Sequence, residues 1–254
     1  MPVPVQELIA RLDREVTDPR KTLVATDGDG TLWSGDVGED FFFAFTRENR
    51  VRASAFEALR SLATEFSIEA KDAEIATRLY EGYVHGKVPE DRICEMIAWL
   101  AAGHSRSEVQ AIVRATLERE KLSTRMQAEA VAIVEWARAR KIDVYVVSAS
   151  PDPVVCEAAE LLGLPPECVL AVRPTYEGDA MTPDVERPIP YGAGKAAALA
   201  RVADGRTIAV ACGDNVFDAE MLRAAKVPVA IRPKKRLLDR AHEIPGLLIL
   251  EPIV

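Results

Sequence analysis

The stretch Thr22-Leu23-Val24-Ala25-Thr26-Asp27-Gly28-Asp29-Gly30-Thr31 decides the fold of this 254-residue chain. A short β-branched and aliphatic run ended by glycines reads as a buried strand entering a tight turn. Open α/β sheets bind ligands at the carboxyl ends of such strands. Asp27 then stands at that edge. Residues two apart on an extended segment point to the same side, so Asp27 and Asp29 face one pocket if the chain stays extended through Gly28. Carboxylates this close repel; they are tolerated where a cation sits between them or one keeps its proton, and both situations belong to catalytic sites. The competing reading is a solvated Asp-Gly turn. A helix-loop-helix calcium loop does not fit, because Leu32 occupies the position that needs glycine and Gly38 that of the closing glutamate.

Outward from this strand the pattern divides. A helix is expected before it, over 6–16, and a loop of glycines and acids after it, over 28–40. From Glu39 to about Leu122 the apolar residues keep helical spacing with hardly any strand signal, which predicts helices over 41–47, 53–66, 72–83, 89–102 and 105–119. Ser105 and Glu108 have capping-box spacing. A further helix is expected from Thr124 to Arg140. Short apolar runs (143–147, 168–172, 207–212 and 227–231) then alternate with helical segments (151–162, 192–202 and 217–225), the signature of a parallel sheet covered on both faces. The expected fold is α/β, a doubly wound, Rossmann-like and mainly parallel sheet with an inserted all-helical cap. The core domain is discontinuous, 1–36 with 124–254, and the cap is 37–123.

Three further constellations fall on the same sheet edge. Ser148 ends the run from Val144, where a hydroxyl and the free amides of the turn suit a phosphate; Ser150 reads as a helix N-cap with Pro151 at the first helical position. Lys195 follows Gly192-Ala193-Gly194, which is not a P-loop, since Ile189 replaces the first glycine and Ala196 the metal-holding hydroxyl. A lysine at the positive end of a helix is misplaced unless it meets an anion; alone, it reads as an exposed lysine. Gly213-Asp214-Asn215-Val216-Phe217-Asp218 repeats the opening logic of apolar strand, glycine turn and acids. Asp214 stands at the strand edge and Asp218 one turn on, either as cation ligands or as an N-cap with a solvated neighbour.

Composition narrows the class. The chain is 48% hydrophobic and 28% charged with a net charge of -8, an ordinary soluble balance that leaves no electrostatic footprint for nucleic acid or an anionic membrane. Lys234-Lys235-Arg236 reads as a solvated helix start. The four cysteines form no CxxC pair and have no histidine cluster, which argues against zinc or a disulfide framework. No apolar run approaches a membrane span and the N-terminus carries no leader pattern, so the expected location is cytoplasmic. His85 and His104 are assigned no role.

In this order a DxDxT, a serine after a strand, a lysine and a GDxxxD resemble the four motifs of the haloacid dehalogenase superfamily. The matching residues are Asp27, Asp29 and Thr31; Ser148; Lys195; and Gly213, Asp214 and Asp218. The helical block resembles the inserted cap of its phosphoserine phosphatase-like branch. The resemblance implies Mg²⁺-dependent hydrolysis of a small soluble phosphomonoester. Asp27 would be the nucleophile that forms an aspartyl-phosphate, and Asp29 the acid that protonates the leaving oxygen and then activates water. Mg²⁺ would be held by Asp27, the Asp29 backbone carbonyl and Asp214, with Asp218 holding or orienting it, and phosphate by Ser148, Ala149 and Lys195. The carbon-halogen hydrolases of the family lack an aspartate at the Asp29 place, which points away from dehalogenation. Trp33, Asp36 and Glu39 are candidate substrate residues on the loop entering the cap. In the phosphoserine phosphatases an acid at the Asp36 place holds an amino group, which suggests an amine-bearing, phosphoserine-like ester, with Arg52 or Arg92 for a carboxylate. The alternatives are a phosphomutase or phosphotransferase of the same superfamily, and a non-catalytic phosphometabolite-binding protein.

Overall fold

The computed structural model describes residues 2–253, so the first residue of the expected core half 1–36 and the last of the half 124–254 lie outside it. Helix α1 (Val5–Glu15) precedes strand β1 (Thr22–Thr26). Five helices follow: α2 (Val37–Thr46), α3 (Ala53–Glu65), α4 (Asp72–Val84), α5 (Glu90–Trp99) and α6 (Arg106–Arg119). The chain then alternates through α7 (Ala128–Ala139), β2 (Asp143–Pro151), α8 (Asp152–Glu160) and β3 (Val169–Val172). After the strands β4 (Pro174–Glu177) and β5 (Ala180–Val185) come α9 (Ala193–Ala203), β6 (Thr207–Gly213), α10 (Ala219–Arg223), β7 (Val227–Ala230), α11 (Lys235–Asp239) and β8 (Leu248–Ile249).

Six strands form one parallel sheet in the order β3-β2-β1-β6-β7-β8, the doubly wound arrangement the alternation predicts. β1 lies between β2 and β6, every one of its residues buried. Its alternation sorts the two faces. Leu23 and Ala25 pack with Leu199 of α9, Leu222 of α10 and Leu237 of α11. Val24 faces the other way, into a core shared with Leu8 and Leu12 of α1, Phe41 and Phe45 of α2, Val113 of α6 and Ile133 of α7. The apolar core therefore runs without a break from the sheet into the inserted helices.

Four local expectations change. α2 begins at Val37, inside the expected loop, because the Asp36 carboxylate accepts the Glu39 amide at 2.9 Å and caps it. The helix expected from Thr124 starts only at Ala128; Leu122–Thr124 is a 3₁₀ turn, and the Gln127 amide donates to the Leu32 carbonyl instead. β2 runs on to Pro151, so Ser150 is a strand residue rather than an N-cap. The antiparallel pair β4–β5 was not legible as strands; it lies against α5, with the Gly103 amide donating to the Met181 carbonyl. All four cysteines are free, and no helix among the described residues is long and apolar enough to cross a membrane.

Candidate active site

Register brings the motifs together. Thr26 pairs with Val146 of β2 on one side and Cys212 of β6 on the other, so Asp27, just past β1, Ser148, within β2, and Asp214, just past β6, stand at nearly the same height. A cleft of about 640 Å³ opens there, lined by Asp27, Asp29, Ser148, Ala149, Lys195, Asp214 and Asp218. A larger hollow of about 1240 Å³, by Arg106, Arg173 and Tyr176, contains none of these residues.

Asp27 is buried and both its oxygens are engaged: Lys195 Nζ donates to Oδ1 at 2.6 Å and Thr31 Oγ1 to Oδ2 at 3.1 Å. Lys195 is buried too and also donates to Asp218 Oδ1 at 2.6 Å, so the exposed-lysine reading is overturned. The helix start holds a lysine because two carboxylates meet it. Burial opposes its charge, but Asp218 and Asp27 overcome that and hold its pKa above the usual lysine range. Burial, then the Asp218 charge, pushes Asp27 well above the usual carboxylate range despite Lys195.

Asp218 is fully buried and its Oδ2 accepts the amides of Asp214 at 3.1 Å and Asn215 at 2.9 Å, which excludes a solvated helix neighbour. Asp214 Oδ2 accepts Lys234 Nζ at 2.9 Å, and burial lifts its carboxyl to about 6. The basic run 234–236 is the exposed helix start that its sequence suggests, and it also lines the cleft. Gly30 is required beside Asp214: its φ is +84°, and a Cβ there would lie 2.2 Å from Asp214 Oδ2.

One oxygen from each of Asp27, Asp214 and Asp218 lies within 4.8 Å of the others. Three buried carboxylates face two ammonium groups, leaving one negative charge uncompensated in an all-oxygen donor set, which fits a hard divalent cation. The Asp29 side chain is turned away from this cluster. Its Oδ1 accepts Trp33 Nε1 at 2.8 Å and the Val37 amide at 2.7 Å; its Oδ2 accepts Ser150 Oγ at 2.7 Å, with Ser148 Oγ at 3.4 Å. Only its backbone carbonyl is left for a cation, and among the described residues no hydrogen bond ends on that atom.

The loop residues divide. Trp33 is fully buried, so its reading as a substrate contact is corrected: its indole reaches the site only through Asp29. Asp36 and Glu39 line the cleft, Asp36 as the α2 cap and Glu39 accepting the Tyr80 hydroxyl. Burial, with Asp29 nearby, pushes the Asp36 carboxyl well above its usual range. Arg52 instead pairs with Glu108 at 2.6 Å and Arg92 with Glu65 at 2.8 Å, and neither reaches the cleft. The cleft residues missed from sequence include Tyr83, Glu90, Cys94 and Ser150. The Ser148-Ala149-Ser150 spacing was a usable signal for Ser150, since residues two apart on a strand share a side.

Fold and site define an α/β protein with a cluster of buried acids at the carboxyl edge of a parallel sheet. A family model of haloacid dehalogenase-like hydrolases matches residues 24–223, and the chain belongs to that family. It is similar to a protein of unknown function from Bordetella pertussis Tohama I, at 22% identity over 91% of this chain and 98% of that one, with a TM-score of 0.71. A HAD family hydrolase from Salmonella enterica serovar Typhi matches at 16% identity, 90% and 67% coverage and a TM-score of 0.58. A substrate-bound phosphoserine phosphatase matches at 19%, 90% and 92% coverage and 0.55. Identities this low are likenesses of fold. No curated protein matches the chain by sequence.

Proposed function

We propose that the protein is a phosphatase that hydrolyses a small phosphomonoester through an aspartyl-phosphate on Asp27. The observation that carries this reading is the unlike treatment of two neighbouring carboxylates. Asp27 faces Lys195 and the acid cluster, while Asp29 is turned to hydroxyls and N–H donors in the same cleft. In the first half-reaction an Asp27 oxygen attacks phosphorus, the bond from phosphorus to the ester oxygen breaks, and the leaving oxygen takes the proton of Asp29. In the second, water attacks phosphorus and gives its proton to Asp29. The bond to Asp27 breaks, restoring the carboxylate and releasing inorganic phosphate. Lys195 and Ser148 hold the non-reacting phosphate oxygens, with Ala149 lining the cleft beside them.

Asp27, Asp214 and the Asp29 carbonyl would hold Mg²⁺, with Asp218 orienting the cluster through Lys195 and its amide contacts. When bound, the ion supplies charge that screens the carboxylate from the phosphate dianion. Residues 37–123 act in this reading as the cap that selects the ester, with Tyr83, Glu90 and Cys94 reaching the cleft. Asp36, Glu39 and Glu90 favour an amine-bearing leaving group. With Arg52 and Arg92 elsewhere, a substrate carboxylate would meet Lys235 or Arg236.

The purified protein is expected to hydrolyse p-nitrophenyl phosphate, to stop on addition of chelator, and to lose at least about 10³-fold in rate as Asp27→Asn. An active Asp27→Asn protein would sink the mechanism. A panel of small phosphate esters, amine-bearing and amine-free, reads the substrate class.

A further inference from the structure

We infer that Ser150 and Trp33 are positioning residues for the proton that Asp29 moves, an inference that rests on the acid/base role given to Asp29 above. Asp29 Oδ1 accepts two hydrogen bonds, from the Trp33 indole at 2.8 Å and the Val37 amide at 2.7 Å. Both partners are N–H groups that donate and do not accept. Oδ1 is therefore committed as an acceptor, and the carboxyl proton belongs on Oδ2. That oxygen faces the Ser150 hydroxyl at 2.7 Å. A hydroxyl serves both states of the acid: it donates to Oδ2 while Asp29 is a carboxylate, and rotates to accept when Oδ2 carries the proton. Ser150 thus gives Oδ2 a partner in both half-reactions without moving a heavy atom.

The arrangement is built in rather than incidental. Ser150 is buried at the end of β2, and its amide donates to Ser148 Oγ at 3.0 Å. Trp33 is fully buried, so its indole cannot swing away. A Cβ on Gly38, the second residue of α2, would come within 2.6 Å of Ser150 Oγ, so glycine there leaves the hydroxyl its room. Val37 is the first residue of the same helix, which ties Asp29 to the start of the inserted helices.

Protonation of the leaving oxygen matters more as that oxygen becomes more basic, and this separates a proton-positioning role from a structural one. The test measures kcat/KM for p-nitrophenyl, phenyl and p-methoxyphenyl phosphate with wild type, Ser150→Ala, Trp33→Phe and Gly38→Ala. Positioned proton transfer is worth about 10²–10⁴ in rate. Ser150→Ala and Trp33→Phe should each lose roughly tenfold or more on the phenyl and p-methoxyphenyl esters and only a few-fold on the p-nitrophenyl ester. Gly38→Ala should lean the same way by displacing Ser150. The two side-chain variants remove different donors, so a failure of one to fold leaves the other to be read. Loss by one common factor on all three esters, or no loss, overturns the inference while the phosphatase reading stands. Wild type inactive on all three esters, or an active Asp27→Asn, rejects that reading and the inference with it.

Discussion

At Asp27 the two side-chain oxygens meet different partners, an ammonium on one and a hydroxyl on the other, deep in the protein. Lys195 serves two buried carboxylates at once, so its removal leaves both without their counter-charge. Breaking a buried ion pair on one side costs about 3–5 kcal/mol, more than the pair itself contributes. Lys195→Met is expected to lose stability of that order in urea denaturation followed by circular dichroism, and addition of Asp218→Asn should recover part of it. An unchanged midpoint would contradict the ion-pair account. The residue types of this cluster were legible from the motif order. That Asp29 points to Trp33 and Ser150 was not, because the turn through Gly28 and Gly30 aims it, and a glycine turn does not disclose its direction in sequence.

Among the elements, α6 shows how local chemistry alone can set a boundary. Ser105 Oγ accepts the Glu108 amide at 3.2 Å, Glu108 accepts the Ser105 amide at 2.8 Å, and Arg52 adds a pair to Glu108 at 2.6 Å. Ser105→Ala should cost about 1 kcal/mol, read as a lower melting temperature with unchanged kcat/KM, since Ser105 lies outside the cleft. Helix ends with such signals were readable to within a residue. α2 was not, although Asp36 and Glu39 carry the signal, because the acids around it also suit a ligand loop. β4 and β5 were missed for another reason: they are short and only half covered, and their backbone pairing is with each other rather than with the main sheet.

For the whole molecule, the site's charge sets a pH dependence. Burial, partly offset by Lys234, holds the Asp214 carboxyl at about 6, above its value in the unfolded chain. Between pH of about 4 and 6 the folded state therefore keeps a proton that the unfolded chain releases, so this group's contribution falls as pH rises through that window and the penalty is full above it. In metal-free protein the melting temperature of Asp214→Asn relative to wild type should rise between pH 5 and pH 7.5. A cation held by the carboxylates offsets the same penalty. Added Mg²⁺ should thus raise the wild-type melting temperature more at pH 7.5 than at pH 5, the stabilisation at pH 7.5 being about 2.7 kcal/mol at a hundredfold excess over Kd. Equal shifts at both values would count against carboxylate ligation.

The period of the apolar residues determined the sheet, the inserted helices and the order in which the motif residues arrive, because burial of one face imposes a spacing readable in one dimension. Asp27, Ser148, Lys195 and Asp214 stood out only in combination, as motifs in an order that resembles the haloacid dehalogenase superfamily. Tertiary structure alone decided what each of them touches: Lys195 buried between two acids, Lys234 drawn onto Asp214, Trp33 beneath the loop, and Ser150 on Asp29. Those contacts join residues as far as 168 positions apart. Their geometry comes from strand register and helix packing, which no local pattern contains.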